Sequence, residues 1–166
     1  NVVGATIFPH NFGLGCSNNL YLVSEIVRVT ALEVAATGIH WTFAPCLAVA
    51  LDYRWGRTYE SFGESVELVS NLSAPAVQGI QGKTLNLSHG ILACAKHFVG
   101  DGGTQWGTGK TGMLDRGDTR ITENELRRIH LPGYLEAIKA GVGSIMASFN
   151  KWNGDYCHGN KYLLTN

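Results

Sequence analysis

The segment Lys96-His97-Phe98-Val99-Gly100-Asp101-Gly102-Gly103 sets an ammonium, an imidazole and a carboxylate close together, just ahead of two glycines. A lysine at the end of an apolar run is costly to bury unpaired, so it should meet a carboxylate or a ligand hydroxyl. Neighbouring strand residues point to opposite faces, so Lys96 and His97 share one only where a strand ends or bulges; the glycines permit that break. The chemistry indicated is a set of donors holding a polyhydroxylated ligand, with Asp101 as a further lining residue. The plainer alternative is a surface loop with an incidental Lys and His.

A second constellation is Asp52-Tyr53-Arg54-Trp55-Gly56-Arg57-Thr58-Tyr59-Glu60. Arginine donates in a planar fork, and indole or phenol faces stack on sugar or base rings. One arginine is expected to pair with Asp52 or Glu60 and the other to be free for ligand, Arg57 being the stronger candidate. A third is Ser148-Phe149-Asn150-Lys151-Trp152-Asn153-Gly154. Asn153-Gly154 signals a turn, and Trp152 is either a ring platform or a side chain packed beneath a loop. The other histidines lack metal-site spacing; His10 stands out among them because it follows an apolar run. Gly103 to Lys110 imitates a phosphate-binding loop but has five residues where that motif needs four, and it runs on into further glycines and aspartates.

Composition narrows the classes. With 13 basic and 13 acidic side chains in 166 residues, the chain lacks the net basic charge of a nucleic-acid or membrane-surface binder. An apolar share of 45% excludes disorder, while 21 glycines indicate many turns. Cys16, Cys46, Cys94 and Cys157 have neither zinc-site spacing nor the density of a disulfide framework, so free, buried thiols are expected. No metal and no cofactor is expected. Two sequons, Asn71-Leu72-Ser73 and Asn86-Leu87-Ser88, would suit a secreted glycoprotein. No apolar run is long enough for a membrane span, and the first residues do not read as a signal peptide.

The elements that must position these residues follow from periodicity. Near-continuous apolar runs at 3–8, 39–43, 91–98 and 142–149 predict strands buried on both faces of a parallel sheet. Helical spacing predicts helices over 20–36, 65–78 and 122–139. The last opens on Thr122-x-x-Glu125, a capping box, and closes on Lys139-Ala140-Gly141. This alternation predicts an α/β fold, either a doubly wound sheet or a (β/α)8 barrel. In both, polar groups beyond the strands' carboxyl ends form the working face.

The ordered blocks GATIFPHNFGLG, EVAATGIHWTFAP, RWGRTYESFGE, ACAKHFVGDGGT, LDRGDT and IMASFNKWNG resemble the N-terminal barrel domain of glycoside hydrolase family 3. They are most similar to its β-glucosidases and exo-acting β-glucan glucohydrolases. The resemblance implies an incomplete (β/α)8 TIM barrel of about four βα units, one partial domain over 1–166 cut at both ends, with no second domain. It implies a retaining hydrolase that releases glucose from non-reducing ends of β-glucosides or β-glucans. Arg57, Lys96 and His97 then bind hydroxyls of that glucose, and Phe149 stands where several members carry a tyrosine near the nucleophile. The nucleophilic Asp is expected after Asn166 and the acid/base Glu in a following domain, so this piece alone is expected to be inactive. The implied partners are a β-linked glucoside or oligosaccharide and the rest of the same enzyme, with neither nucleic acid nor membrane. The full-length enzyme is expected to be secreted or periplasmic. By the same comparison the 104–115 loop is longer than in close relatives, and His40 replaces a frequent Asp. Two other readings are a non-catalytic sugar-binding module keeping Arg57, Lys96 and His97, and a lyase whose Lys96 forms a Schiff base.

Overall fold

The computed structural model describes residues 2–85 and 90–165; the second sequon and His89 lie outside the described residues. Helix α1 (Asn11–Ser17) ends at Asn18 in the left-handed region, and Asn19 then caps α2 (Leu20–Ala36) by accepting the Leu22 N–H at 2.9 Å. Helix α3 (Val66–Gln81) starts at Ser65, whose hydroxyl accepts the Leu68 N–H, and stops at Gly82 with φ 78°. There follow β1 (Cys94–Phe98), β2 (Asp118–Thr119), α4 (Glu123–Ile129), α5 (Pro132–Lys139), β3 (Ser144–Ala147), β4 (Lys151–Trp152), β5 (Asp155–Tyr156) and α6 (Lys161–Thr165).

Strand β1 pairs in parallel with β3, and β2 pairs in parallel with β4. Strands β4 and β5 form a hairpin turned by Asn153 (φ 50°) and Gly154 (φ 96°), the left-handed pair that a tight hairpin requires. The main core joins Val23 of α2, Val69, Leu72, Ala76 and Val77 of α3, Ala95 of β1, and Tyr134 and Ala137 of α5. Helices α2 and α3 approach closely at Gly79, where a Cβ would lie 2.4 Å from the Ser24 carbonyl oxygen.

Four sequence expectations need correction. Residues 3–8 form no strand; Ile7 is 96% exposed, and Thr6 ties the segment to α2 by donating to the Glu33 carboxylate. An apolar run becomes a strand only with a neighbour for its backbone groups, and none lies beside these residues among those described. Residues 39–43 give isolated parallel bridges, Trp41 to Leu92 and, further on, Cys46 to Lys96. Pro45 stands between them and cannot donate to a ladder. Strand β3 is only half-buried rather than covered on both faces. The predicted helix over 122–139 is two helices: the capping box at Thr122 and Glu125 forms, but Pro132 cannot continue α4 and instead begins α5.

Cys46, Cys94 and Cys157 are buried free thiols, whereas Cys16 is exposed. In the first sequon Ser73 is fully buried in α3 and donates to the Val69 carbonyl at 2.6 Å. That triplet therefore has lost its value as a secretion signal.

Replacing Gly79 by alanine should destabilise the protein by about 2 kcal/mol, because the new methyl meets backbone oxygen. An unchanged urea midpoint would show that α2 and α3 can separate at no cost.

Candidate active site

At the carboxyl end of β1 the register with β3 shifts between Lys96 and Phe98, so His97 is left out of the ladder. This is the bulge that the Lys-His sequence called for, and the Lys96–His97 and Phe98–Val99 peptides are both cis. Gly100 then turns the chain with φ 88° into a 3-10 turn at 101–103. The glycines of that turn answer to space. A Cβ on Gly102 would lie 2.3 Å from the Val49 carbonyl oxygen, and one on Gly103 would lie 2.5 Å from His130 Nε2.

The turn carries the Asp101 carboxylate back to His97, with Nδ1 2.8 Å from Oδ2 and both side chains about one-tenth exposed. A carboxylate only accepts, so Nδ1 carries the hydrogen and donates to it, and Nε2 is left facing away from this pair. On the neighbouring 3-10 turn, Thr58–Glu60, the Glu60 carboxylate accepts from Arg57 Nε at 2.7 Å and Nη2 at 2.8 Å. The Lys96 ammonium lies 3.2 Å from the same carboxylate. The Arg57 hydrogen bonds, reinforced by Lys96, hold Glu60 down to about 2 against 4.5 ordinarily. Asn11 fixes the turn by donating to the Glu60 carbonyl at 2.8 Å.

Both arginines of the Asp52 to Glu60 segment are thus paired, Arg54 with Asp52 at 2.6 Å and Arg57 with Glu60. The expectation of one free arginine fails because each has a carboxylate within three residues on the same turn. Arg57 still lines a pocket together with His97, Asp101 and Phe149. Lys96 lines the adjoining cleft with His10 and Glu60, and so meets the others only through the Glu60 carboxylate. Trp152 is not in the site: its Nε1 donates to the Ile121 carbonyl at 3.0 Å, and it packs on the core. His40 lends its carbonyl to the Leu92 N–H and is otherwise exposed.

The pocket is completed by Trp55, Ser148 and Asn150 from the constellations that the sequence showed, and by Asp115 and Arg116 from the 104–115 loop and the residue after it. Trp55 was visible as the aromatic between two arginines, and it is buried with Cys46, Ala48, Ala50 and Leu114. The resemblance marked the 104–115 loop as unusual, but no local pattern singled out Asp115 or Arg116 within it, because a turn-rich loop does not announce where it folds back.

The arrangement can donate to and accept from sugar hydroxyls. The carboxylates around it already have partners or face solvent. Glu60 is tied up as an anion by two cations, Asp101 by His97, and Asp115 is largely exposed. Among the described residues no group of three His, Cys, Asp or Glu could hold a metal ion.

Beneath Gly103, His130 is buried and its Nε2 has no partner among the described residues. Burial, opposed by Asp101, lowers its pKa from 6.5 to about 4. Below pH 6.5 the unfolded imidazole takes a proton that the folded one refuses until about pH 4. Stability should therefore fall across that window by on the order of 3 kcal/mol. The measurement is the pH dependence of urea unfolding, whose slope between pH 6.5 and 4 should flatten in His130→Gln; an identical slope would count against the assignment.

Residues 1–166 match the family description "Glycosyl hydrolase family 3 N terminal domain". A crystal structure of an exo-1,3/1,4-beta-glucanase from a Pseudoalteromonas species superposes with a TM-score of 0.91 at 53% identity, over 99% of this chain and 20% of that one. A lysosomal beta glucosidase of Dictyostelium discoideum is 37% identical over 97% of this chain and 20% of its own length. A periplasmic beta-glucosidase of Salmonella typhimurium is 33% identical over 96% of this chain and 20% of its own. The chain thus spans about one-fifth of the length of the relatives it matches. The neighbouring structures carry a TIM-barrel N-terminal domain, and the parallel strands and flanking helices here correspond to part of that barrel. With donors and acceptors gathered at a parallel strand's carboxyl end, the chain belongs to glycosyl hydrolase family 3, within the N terminal domain.

Proposed function

We propose that residues 1–166 are the sugar-holding part of a retaining exo-acting β-glucosidase or β-glucanase, one partial barrel domain whose catalytic carboxylates lie elsewhere in the same enzyme. The observation that carries this reading is the two paired clusters, Arg57–Glu60–Lys96 and His97–Asp101, which bring the last residues of β1 together with the turns at 58–60 and 101–103. Ammonium and guanidinium donate to sugar oxygens, and His97 Nε2 accepts from a sugar hydroxyl. Such contacts fix the anomeric carbon for attack by a nucleophilic Asp supplied after Asn166, with a Glu from a following domain as acid and then base. Phe149 brings an apolar ring, with no hydroxyl to donate to that nucleophile.

The substrate under this reading is a β-linked glucoside or oligosaccharide cleaved from its non-reducing end. The exo-1,3/1,4-beta-glucanase neighbour supports glucose-built substrates. The full-length enzyme is placed in the periplasm or outside the cell, supported by the periplasmic relative. No helix among the described residues is long and apolar enough to cross a membrane.

The test uses an aryl β-glucoside. Purified 1–166 should release no nitrophenol above buffer, while the full-length enzyme turns over. In the full-length enzyme Lys96→Ala should lower kcat/KM by roughly 10- to 100-fold, the worth of a hydrogen bond to a charged group. Turnover by 1–166 alone would overturn the placement of the carboxylates. Glucose affinity without any turnover by the full-length protein would favour a non-catalytic sugar-binding module.

A further inference from the structure

The pocket has a floor and a rim. His97 and Asp101 form the floor, with side chains 11% and 10% exposed, whereas Asp115 and Arg116 at the rim are 64% and 61% exposed. The rim comes from the loop between the 3-10 turn at 101–103 and β2, and that loop is stapled rather than loose. Leu114 is buried against Cys46, Ala48, Ala50 and Trp55. Its carbonyl accepts from the Thr104 hydroxyl at 2.9 Å and from the Gly117 N–H at 3.0 Å. Gly117 in turn accepts the Lys151 N–H at 2.9 Å.

Arg116 stands at the tip of this stapled turn with φ 53°, a left-handed conformation that costs a non-glycine residue about 1 kcal/mol or more. Its guanidinium carbon lies 5.7 Å from the centre of the Phe149 ring, and that ring is stacked on His158 at 4.5 Å and 20°. The nearest carboxylate, Asp115, is at 3.5 Å, too long for a tight ion pair.

We propose that Arg116 is a specificity-determining residue that binds the second sugar of a β-linked glucan, the one on the far side of the bond to be cleaved. The inference rests on the glucosidase reading above and deepens it. If the floor takes the terminal glucose, the next residue of the chain leaves through the rim. There the planar fork of Arg116 donates to vicinal hydroxyl oxygens, and Asp115 accepts beside it. By covering the exposed Phe149 ring, the guanidinium also occupies the apolar surface on which an aryl group would stack.

The experiment compares full-length enzyme with its Arg116→Gly variant, on a β-linked glucose disaccharide and on an aryl β-glucoside. Glycine adopts positive φ freely, so the change removes the side chain while relieving the backbone, and the melting temperature should not fall. The ratio of kcat/KM for disaccharide over aryl glucoside should drop about tenfold. A ratio within twofold of the parent, or an equal loss on both substrates, overturns the role of Arg116 while leaving the glucosidase reading intact. A parent enzyme that turns over neither substrate overturns that reading and this inference with it.

Discussion

The site depends on one carboxylate shared between two cations. Glu60 accepts two hydrogen bonds from Arg57 and one ion-pair contact from Lys96, joining a loop after the second apolar run to the end of β1. Removing either cation leaves a partner half-satisfied, and removing Glu60 leaves two like charges side by side with nothing between them. The carboxylate therefore serves as a spacer that lets a guanidinium and an ammonium be brought together in a partly enclosed place. Held down to about 2 against 4.5 ordinarily, it is anionic at neutral pH and orients the two cations that flank it.

The His97–Asp101 pair works by a different constraint, backbone proximity. Asp101 reaches back to His97 only because Gly100 turns sharply and Gly102 lies against the Val49 carbonyl. The closeness is passed downward as well: Gly103 sits on His130, and His130 adjoins the same Asp101 charge from below. A run of four residues thus sets the histidine tautomer, the depth of the pocket floor and the acid sensitivity of the core beneath it.

How much of this was readable beforehand varies with the range of the forces involved. The span of α2, the capping box at Thr122 and the turn at Asn153-Gly154 are local, and they stand where periodicity and turn chemistry put them. The bulge at His97 was also implied locally, since two adjacent polar residues cannot face one way in a regular strand. The unpaired 3–8 segment was not legible, because an apolar run says nothing of whether a neighbouring strand is there to receive its hydrogen bonds. Trp152 was ambiguous for the same reason: its fate hangs on a carbonyl 31 residues away. Arg116 was invisible, since its position is set by the burial of Leu114 in a cluster drawn from other parts of the chain.

The four thiols divide in a way that has a practical consequence. Cys46 is pushed up to about 12 and Cys157 to about 11 by burial, so at pH 8 each is ionised in roughly one part in a thousand or less. Thiol reagents attack the thiolate, and they need access as well. Cys16 alone among the described cysteines is exposed, at the end of α1 and outside the pocket lined by Arg57 and His97. The fold therefore offers a single ready attachment point for a maleimide dye or spin label, and with it a native handle for watching the barrel come together without altering a residue.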